Sequence, residues 1–398
     1  MGLTAPMAWL NNDLGSVYLH LGELQKAINY QADALTKARQ MGYRILEANC
    51  LNDLAIIYRR LGDFKLVLEY RQDALKIAQQ IGDKNLLGRL YYEIALIYRD
   101  TSNIEQAEES LEKASEYIKE VKNLELEARI LMSSGLLDHR AGKYKRAMEK
   151  LEKSLEIRRS LGDKPGEAYT LSALADFWAD IGDFEKVTEC TEKVISISEE
   201  KGYRDLMPWA LLCVARTKGV KGNWDEAISW VEKSLNLSKQ MGYIRFGAFA
   251  YTDLGFCYMR KKENEKAIGF YQKALEVCEK TGEKYDVVIR AVSALAGIYL
   301  EMKNLEKSEE HYKRAMQLAE KWKQRRYLWR LHRGLAIISS QKGNMDESKI
   351  QYEKAIASQK EMTAHMDEEM KKIYLSHFDR NRLKEEYNNL QKNNGKSG

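Results

Sequence analysis

The sequence predicts an all-α fold, a solenoid of about nine helix hairpins stacked in one continuous array. Three observations carry this prediction. The first is a segment that recurs every 40 residues: Lys266-Ala267-Ile268 through Ala274-Leu275 is matched by Glu226-Ala227-Ile228 through Ser234-Leu235, and by Arg146-Ala147-Met148 through Ser154-Leu155. The second is a pair of glycine ladders with the same step. Gly22, Gly62, Gly142, Gly182 and Gly222 form one, with Ser102 in the gap. Gly42, Gly82, Gly162, Gly202, Gly242 and Gly282 form the other, with Lys122 in the gap. The third is composition. With 3 prolines and 31% charged against 44% hydrophobic residues, the chain suits long amphipathic helices and leaves no obvious linker.

The ladders set the order within each unit: helix A, glycine turn, helix B, glycine loop. Helix A starts near Ala8, Ala48, Arg89, Ala128, Ala168, Pro208, Ala248, Arg290 and Trp329. Pro208 suits a helix start, where its missing N–H is not needed. Pro165 reads as part of a loop between repeats. Midway along helix A stand Gly15, Ala55, Ala95, Gly135, Ala175, Ala215, Gly255, Ala296 and Ala336, all glycine or alanine. The facing column in helix B is Ala27, Val67, Ala107, Ala147, Val187, Ala227, Ala267, Ser308 and Ser348. Small residues on both sides let the two helices approach closely. The spacing slips once, from Ala267 to Ser308.

The order large–Gly/Ala–x–x–Tyr in Leu14-Gly15…Tyr18, Leu54-Ala55…Tyr58 and Leu254-Gly255…Tyr258, followed by Ala-x-x-x-Tyr-x-x-Ala-Leu at Ala267 to Leu275, resembles the tetratricopeptide repeat (TPR). The resemblance covers roughly residues 8–360 and implies a right-handed superhelix with helix A lining the concave face. The 40-residue unit exceeds the usual length of about 34. It is similar to the Leu-Gly-Asn repeat modulators and to the sensor arrays of bacterial regulators such as the maltose-type activators. Ile56 stands where Leu-Gly-Asn repeats often place asparagine, so their peptide mode is not carried over.

The array is expected over residues 1–361, a C-terminal capping helix over 362–387, and a disordered tail over 388–398. Met366, Met370, Ile373, Tyr374 and Phe378 mark the apolar face of the cap. The first repeat has no matching cap. A preceding domain, a partner, or a homodimer through this N-terminal repeat would each cover it.

Bulk properties limit the function classes. No run of about 18 apolar residues suggests a membrane span. The segment Met1-Gly2-Leu3-Thr4-Ala5-Pro6 does not read as a secretory signal. Cys50, Cys190, Cys213, Cys257 and Cys278 show no CxxC and read as reduced thiols of a cytoplasmic protein, with Cys213 and Cys257 as core packing. HExxH, GxSxG, GxGxxG and P-loop motifs are missing. The 6 histidines never pair at helical zinc spacing. The reading is therefore no enzyme, no cofactor and no metal site.

Recognition is the chemistry to expect. Counting from the small residue of helix A, positions five or six before, three before, one after, and four or five after should face the groove. In repeats two to four these are Asn49, Asn52, Arg59, Arg60, Arg89, Tyr92, Arg99, Arg129, His139 and Arg140, with Asp53, Glu93 and Asp100 nearby. Converging guanidinium groups suit an acidic peptide or a free carboxylate; a solvated face with internal Arg–Asp and Arg–Glu pairs is the alternative. In repeats five to seven the same register gives Tyr169, Trp209, Leu212, Phe249, Phe256 and Met259, beside Asp176 and Arg216. These suit an amphipathic helix in the groove, or burial by the chain itself. Residues 323–398 hold 16 Lys+Arg against 10 Asp+Glu, including Lys323, Arg325, Arg326, Arg330 and Arg333, but the mixed groove argues against nucleic acid. The sequence thus points to a protein- or peptide-binding scaffold. The other reading is the ligand-sensing arm of a larger signalling or transcriptional regulator.

Overall fold

The computed structural model describes residues 4–21, 23–61, 63–101, 103–201, 207–241, 244–281, 286–376 and 378–394. Among the described residues all regular structure is helical, and consecutive helices pair as hairpins. The chain divides into two compact units, Met1–Ile130 and Leu131–Gly398. No described helix is long and apolar enough to cross a membrane.

Unit 1 contains α1 (Thr4–Leu21), α2 (Leu24–Met41), α3 (Arg44–Leu61), α4 (Phe64–Ile81), α5 (Lys84–Asp100) and α6 (Ile104–Val121), and ends within α7 (Leu124–Arg140). Helix A of a typical repeat starts about four residues earlier than its pattern of small residues suggests. The cause is capping by the loop residue: the Asp83 carboxylate accepts from Leu86 N–H at 2.9 Å, so α5 starts at Lys84. Gly82 (φ +75°) and Gly42 (φ +69°) end the preceding helices in the left-handed conformation. Lys122 holds the same conformation at φ 54° without glycine's freedom. Gly22, Gly62, Ser102, Gly202, Gly242 and Gly282 lie outside the described residues.

The small column works as expected. A Cβ on Gly15 would stand 2.8 Å from the Gln31 side chain, and Ala55 and Ala95 are buried. Three residues further along, aromatic rings stack across the hairpin. Tyr18 meets Tyr30 at 5.3 Å and Tyr58 meets Tyr70 at 5.6 Å.

Unit 2 continues from α7 into α8 (Tyr144–Ser160), α9 (Lys164–Ile181), α10 (Phe184–Lys201), α11 (Met207–Val220) and α12 (Trp224–Gln240). Then come α13 (Ile244–Arg260), α14 (Asn264–Thr281), α15 (Asp286–Glu301), α16 (Leu305–Lys321), α17 (Leu328–Gln341) and α18 (Met345–Ala364). A short 3-10 turn, Arg325–Tyr327, precedes α17. Pro165 is not in a loop. It occupies the first turn of α9, whose N-terminus is capped by Asp163, and there its missing N–H costs nothing.

Two helices follow the last hairpin: α19 (Glu368–Ser376) and α20 (Phe378–Asn394). The cap expected over 362–387 is therefore a helix pair, and the expected tail stays helical to Asn394. Leu383 and Leu390 explain this, since both are buried; burying one leucine contributes about 1.5–3 kcal/mol. The pair does more than cover the last repeat. Met362, Met366, Met370, Tyr374, Leu383 and Leu390 share one core cluster with Tyr144, Ala147, Phe177 and Trp178 of the unit's first helices. Lys145 N–H donates to the His365 carbonyl at 2.8 Å. Unit 2 therefore closes on itself, its last helices packing against its first hairpins.

Candidate functional site

Closure leaves a half-open cavity of about 560 Å3 within unit 2. Its wall follows the register predicted for the groove. Asp176, Arg216, Phe256 and Gly297, each one residue after the small residue of helix A, all line it. Ala179, Gly219 and Met259, four residues after, also line it.

A chain of ion pairs runs around this wall. The Arg216 guanidinium reaches Asp176 at 3.4 Å and donates from Nε to Asp253 at 3.0 Å. Arg290 donates to the other Asp253 oxygen at 2.7 Å and stands 3.9 Å from Asp286. Asp286 also accepts from Arg326 and from the Tyr327 hydroxyl. Arg326 lies 3.8 Å from Asp180 and 3.4 Å from His139 Nε2. Asp180 finally accepts from the Tyr144 hydroxyl at 2.7 Å and lies 3.2 Å from His139 Nε2. Arg380, 5% exposed, completes the circuit from α20 by donating to the main-chain carbonyls of Ile181 (2.8 Å), Asp180 (2.6 Å) and Tyr374 (3.2 Å). Its guanidinium lies 3.6 Å from the centre of the Tyr374 ring.

These pairings fix the charges. Burial alone would raise the Asp180 carboxyl, but the bond to His139 and the field of Arg326 hold it far below the ordinary carboxylate range. Asp286 is likewise desolvated, yet Arg326 and Arg290 pull it below its usual value. Burial works against the Arg216 charge too, and Asp253 and Asp176 more than offset it. A carboxylate held ionised by arginine is a poor general base. Cys257 lines the same wall, and burial pushes its thiol up to about 12, out of range for a nucleophile at neutral pH. The wall thus carries permanent charges at fixed positions.

The residues singled out in repeats two to four do not form one pocket. His139 is 1% exposed and belongs to the unit 2 cluster beside Asp180, and the field of Arg140 acts on Asp286 in the same unit. The others lie in unit 1. Tyr92 is buried at 7% exposure, a correction to its expected place on an open groove; its ring packs inward because the core takes its apolar area. Asn52 is engaged by Arg71, a buried residue of helix B that also reaches Glu93 at 3.6 Å. Arg71 carries no mark in the sequence, because the repeat resemblance assigns the groove to helix A and Arg71 lies on helix B. Asn49 is half-buried, Arg59 and Arg89 are exposed, Arg99 is half-buried, and Arg129 pairs with Glu125 at 2.7 Å. The side chains of Arg60 and Asp100 lie outside the described residues.

The apolar set also divides. Leu212, fully buried in the core around Val231 and Leu254, is a correction: its register position turns toward the next hairpin. Trp209 and Phe249 are half-buried and pack edge to face at 5.4 Å, with Arg216 over the indole at 5.3 Å. Phe256 and Met259 line the cavity, whereas Tyr169 is 46% exposed and does not. The sequence did not single out the clustering of Asp180, Asp253, Asp286, Arg290 and Arg380. A signal existed in the 40-residue pairs Asp176/Arg216 and Asp286/Arg326, where a repeat position alternates in sign.

Comparison with known proteins agrees with this architecture. A model of the MalT-like TPR region matches residues 166–384, and a tetratricopeptide-repeat model matches residues 6–80 and 86–160. Among solved structures, a Rap protein complexed with competence and sporulation factor superposes with a TM-score of 0.64. It is 13% identical, and the match covers 90% of this chain and 99% of that one. BtubC (BKLC) from P. vanneervenii matches with a TM-score of 0.48 at 20% identity, over 55% of this chain and 92% of that one. No curated protein matches the sequence. The family models span most of the helical array, and the chain belongs to the tetratricopeptide-repeat family, with a MalT-like TPR region as its larger part.

Proposed function

We propose that the chain is a non-catalytic binding protein that senses a small molecule or short peptide held inside unit 2. The observation that carries this reading is the closure of unit 2 around a charged cavity of about 560 Å3. That volume is typical of small-ligand sites. A long helix or extended partner segment would meet α19 and α20, which already occupy the face against α8 and α9. The Rap protein of similar fold was captured with a factor bound, which supports the reading of a ligand-loaded array. A sensor of this kind would pass occupancy on through the packing of its hairpins, as expected for a signalling or regulatory arm.

The test separates ligand from partner by size. Extract from the native host is fractionated, and each fraction is added to the purified chain while thermal unfolding is followed. A low-molecular-weight fraction should raise the melting temperature of the wild type but not of Gly297→Phe. The Gly297 Cβ would meet only the Tyr312 hydroxyl, at 3.7 Å, so the new ring has room to enter and fill the cavity. Stabilisation by macromolecular fractions alone would contradict the proposal.

The scaffold reading attaches to unit 1, where Arg59 and Arg89 are exposed. It predicts that Arg59→Glu with Arg129→Glu abolishes capture of an acidic partner while helicity stays unchanged. Unaltered capture would remove that reading.

A further inference from the structure

We propose that the unit 2 cavity selects a ligand with one carboxylate and an apolar body, the carboxylate seated at Arg330. The inference rests on the cavity reading above and names its ligand class.

It follows first from how the charges on the wall are paired. Asp176, Asp253, Asp286 and Asp180 are all engaged by Arg216, Arg290 and Arg326. Arg333, also on the wall, is taken by Glu386, which it holds two-pronged at 2.8 and 2.6 Å. Arg380 spends its donors on main-chain carbonyls. Arg330 remains. Its side chain is exposed and lines the cavity, and its guanidinium lies over the Trp329 ring at 5.2 Å. Among the described residues no carboxylate pairs with it. Arg330 and Arg380 also repel each other, since the field of Arg330 acts to lower the buried Arg380 guanidinium. With Glu386 counted beside the four aspartates, the six arginines of the wall meet five carboxylates, so one positive charge is left over, and Arg330 carries it on the cavity side. A carboxylate there gains a charge-assisted, two-pronged contact and relieves the repulsion.

The apolar part follows from the rest of the wall. Val220 and Phe256 are 51% and 44% exposed, and Trp224 meets Phe256 edge to face at 5.9 Å. With Met259 they give the cavity an apolar surface whose cover by a ligand is favourable. A free peptide C-terminus and a small apolar acid both present this chemistry.

Calorimetric titration of the full chain tests the assignment with two matched pairs. One pair is 4-phenylbutyrate and 4-phenylbutanamide. The other is the peptide Leu-Phe-Leu-Phe as free acid and as C-terminal amide. At least one acid should bind about tenfold or more tighter than its amide, and the tighter of the two acids identifies the source. Arg330→Gln should erase that preference with an unchanged circular dichroism spectrum, and Arg330→Lys should retain part of it. Equal binding of acid and amide, a preference that survives Arg330→Gln, or no binding by either pair overturns the assignment. Equal binding that is blocked by Gly297→Phe overturns the ligand class but leaves the cavity as the site. Binding that persists in Gly297→Phe overturns the cavity reading as well.

Discussion

Arg380 and Ile181 stand 199 residues apart in sequence, yet the Arg380 guanidinium donates a 2.8 Å hydrogen bond to the Ile181 main-chain carbonyl. The contact lies at the C-terminus of α9, where carbonyls lack helical partners and a cation is favourably placed. It fastens the last helix of unit 2 to one of its first and makes an open stack of hairpins into a closed one.

Removing this fastening should loosen unit 2. Arg380→Met strips the Ile181 and Asp180 carbonyls of a charged donor and should cost about 2–4 kcal/mol. Urea unfolding measures the loss, and hydrogen exchange should quicken in α19, α20 and the end of α9. An unchanged exchange pattern would mean that the closure does not hold unit 2 together.

Two glycines of one hairpin, one in the small column of helix A and one on helix B, make opposite predictions. A Cβ at Gly255 would stand 2.9 Å from the ring of Tyr271, which is 1% exposed. Gly255→Val should therefore destabilise by about 1–3 kcal/mol through overpacking. Gly269, on α14, has nothing within 4 Å of such an atom. There Gly269→Ala should stabilise by about 0.5–1 kcal/mol through helix propensity. Paired chemical melts check both signs.

Lys122 offers a gain in unit 1. At φ 54° it caps α6 in a conformation that costs a side chain about 1 kcal/mol. Lys122→Gly should recover most of that cost, seen as a higher urea midpoint with the same slope. A lower midpoint would mean that the lysine side chain contributes more than its backbone loses.

Acid should reveal the arginine-held aspartates. Asp180 titrates far below its ordinary value of 3.8 in the folded protein. A folded carboxyl with a depressed value stabilises above the unfolded value, and that stability is lost as pH falls through the folded one. Stability should be level above pH 5 and fall progressively below 3.8. Asp180→Asn should be less stable at neutral pH but show a shallower acid limb. A variant with the full wild-type acid limb would contradict this role.

Much of the fold was legible because a repeat displays each constraint nine times over. Gly15, Ala55 and Gly255 mark close approach, and Gly42, Gly82 and Gly162 mark helix ends. Residues in register with them, such as Asp176 and Phe256, share the cavity wall of unit 2. Long-range closure could not be read this way. Arg380 and Tyr374 carry no mark in the sequence that points to Asp180 or Tyr144, because the repeat pattern encodes only contacts between neighbours. The same limit misplaced Leu212, whose register position faces the groove in an ideal repeat but fills the core here. It also put His139 with the arginines of unit 1 when its partners, Asp180 and Arg326, come from later repeats.

The half-open cavity of unit 2 should be occupied when the protein works. Native mass spectrometry of the chain, purified gently from its own host, tests it most directly. The account predicts a small bound mass that is released on denaturation and absent from Gly297→Phe. A chain that carries only a macromolecular partner, or one whose small ligand persists in Gly297→Phe, would contradict it.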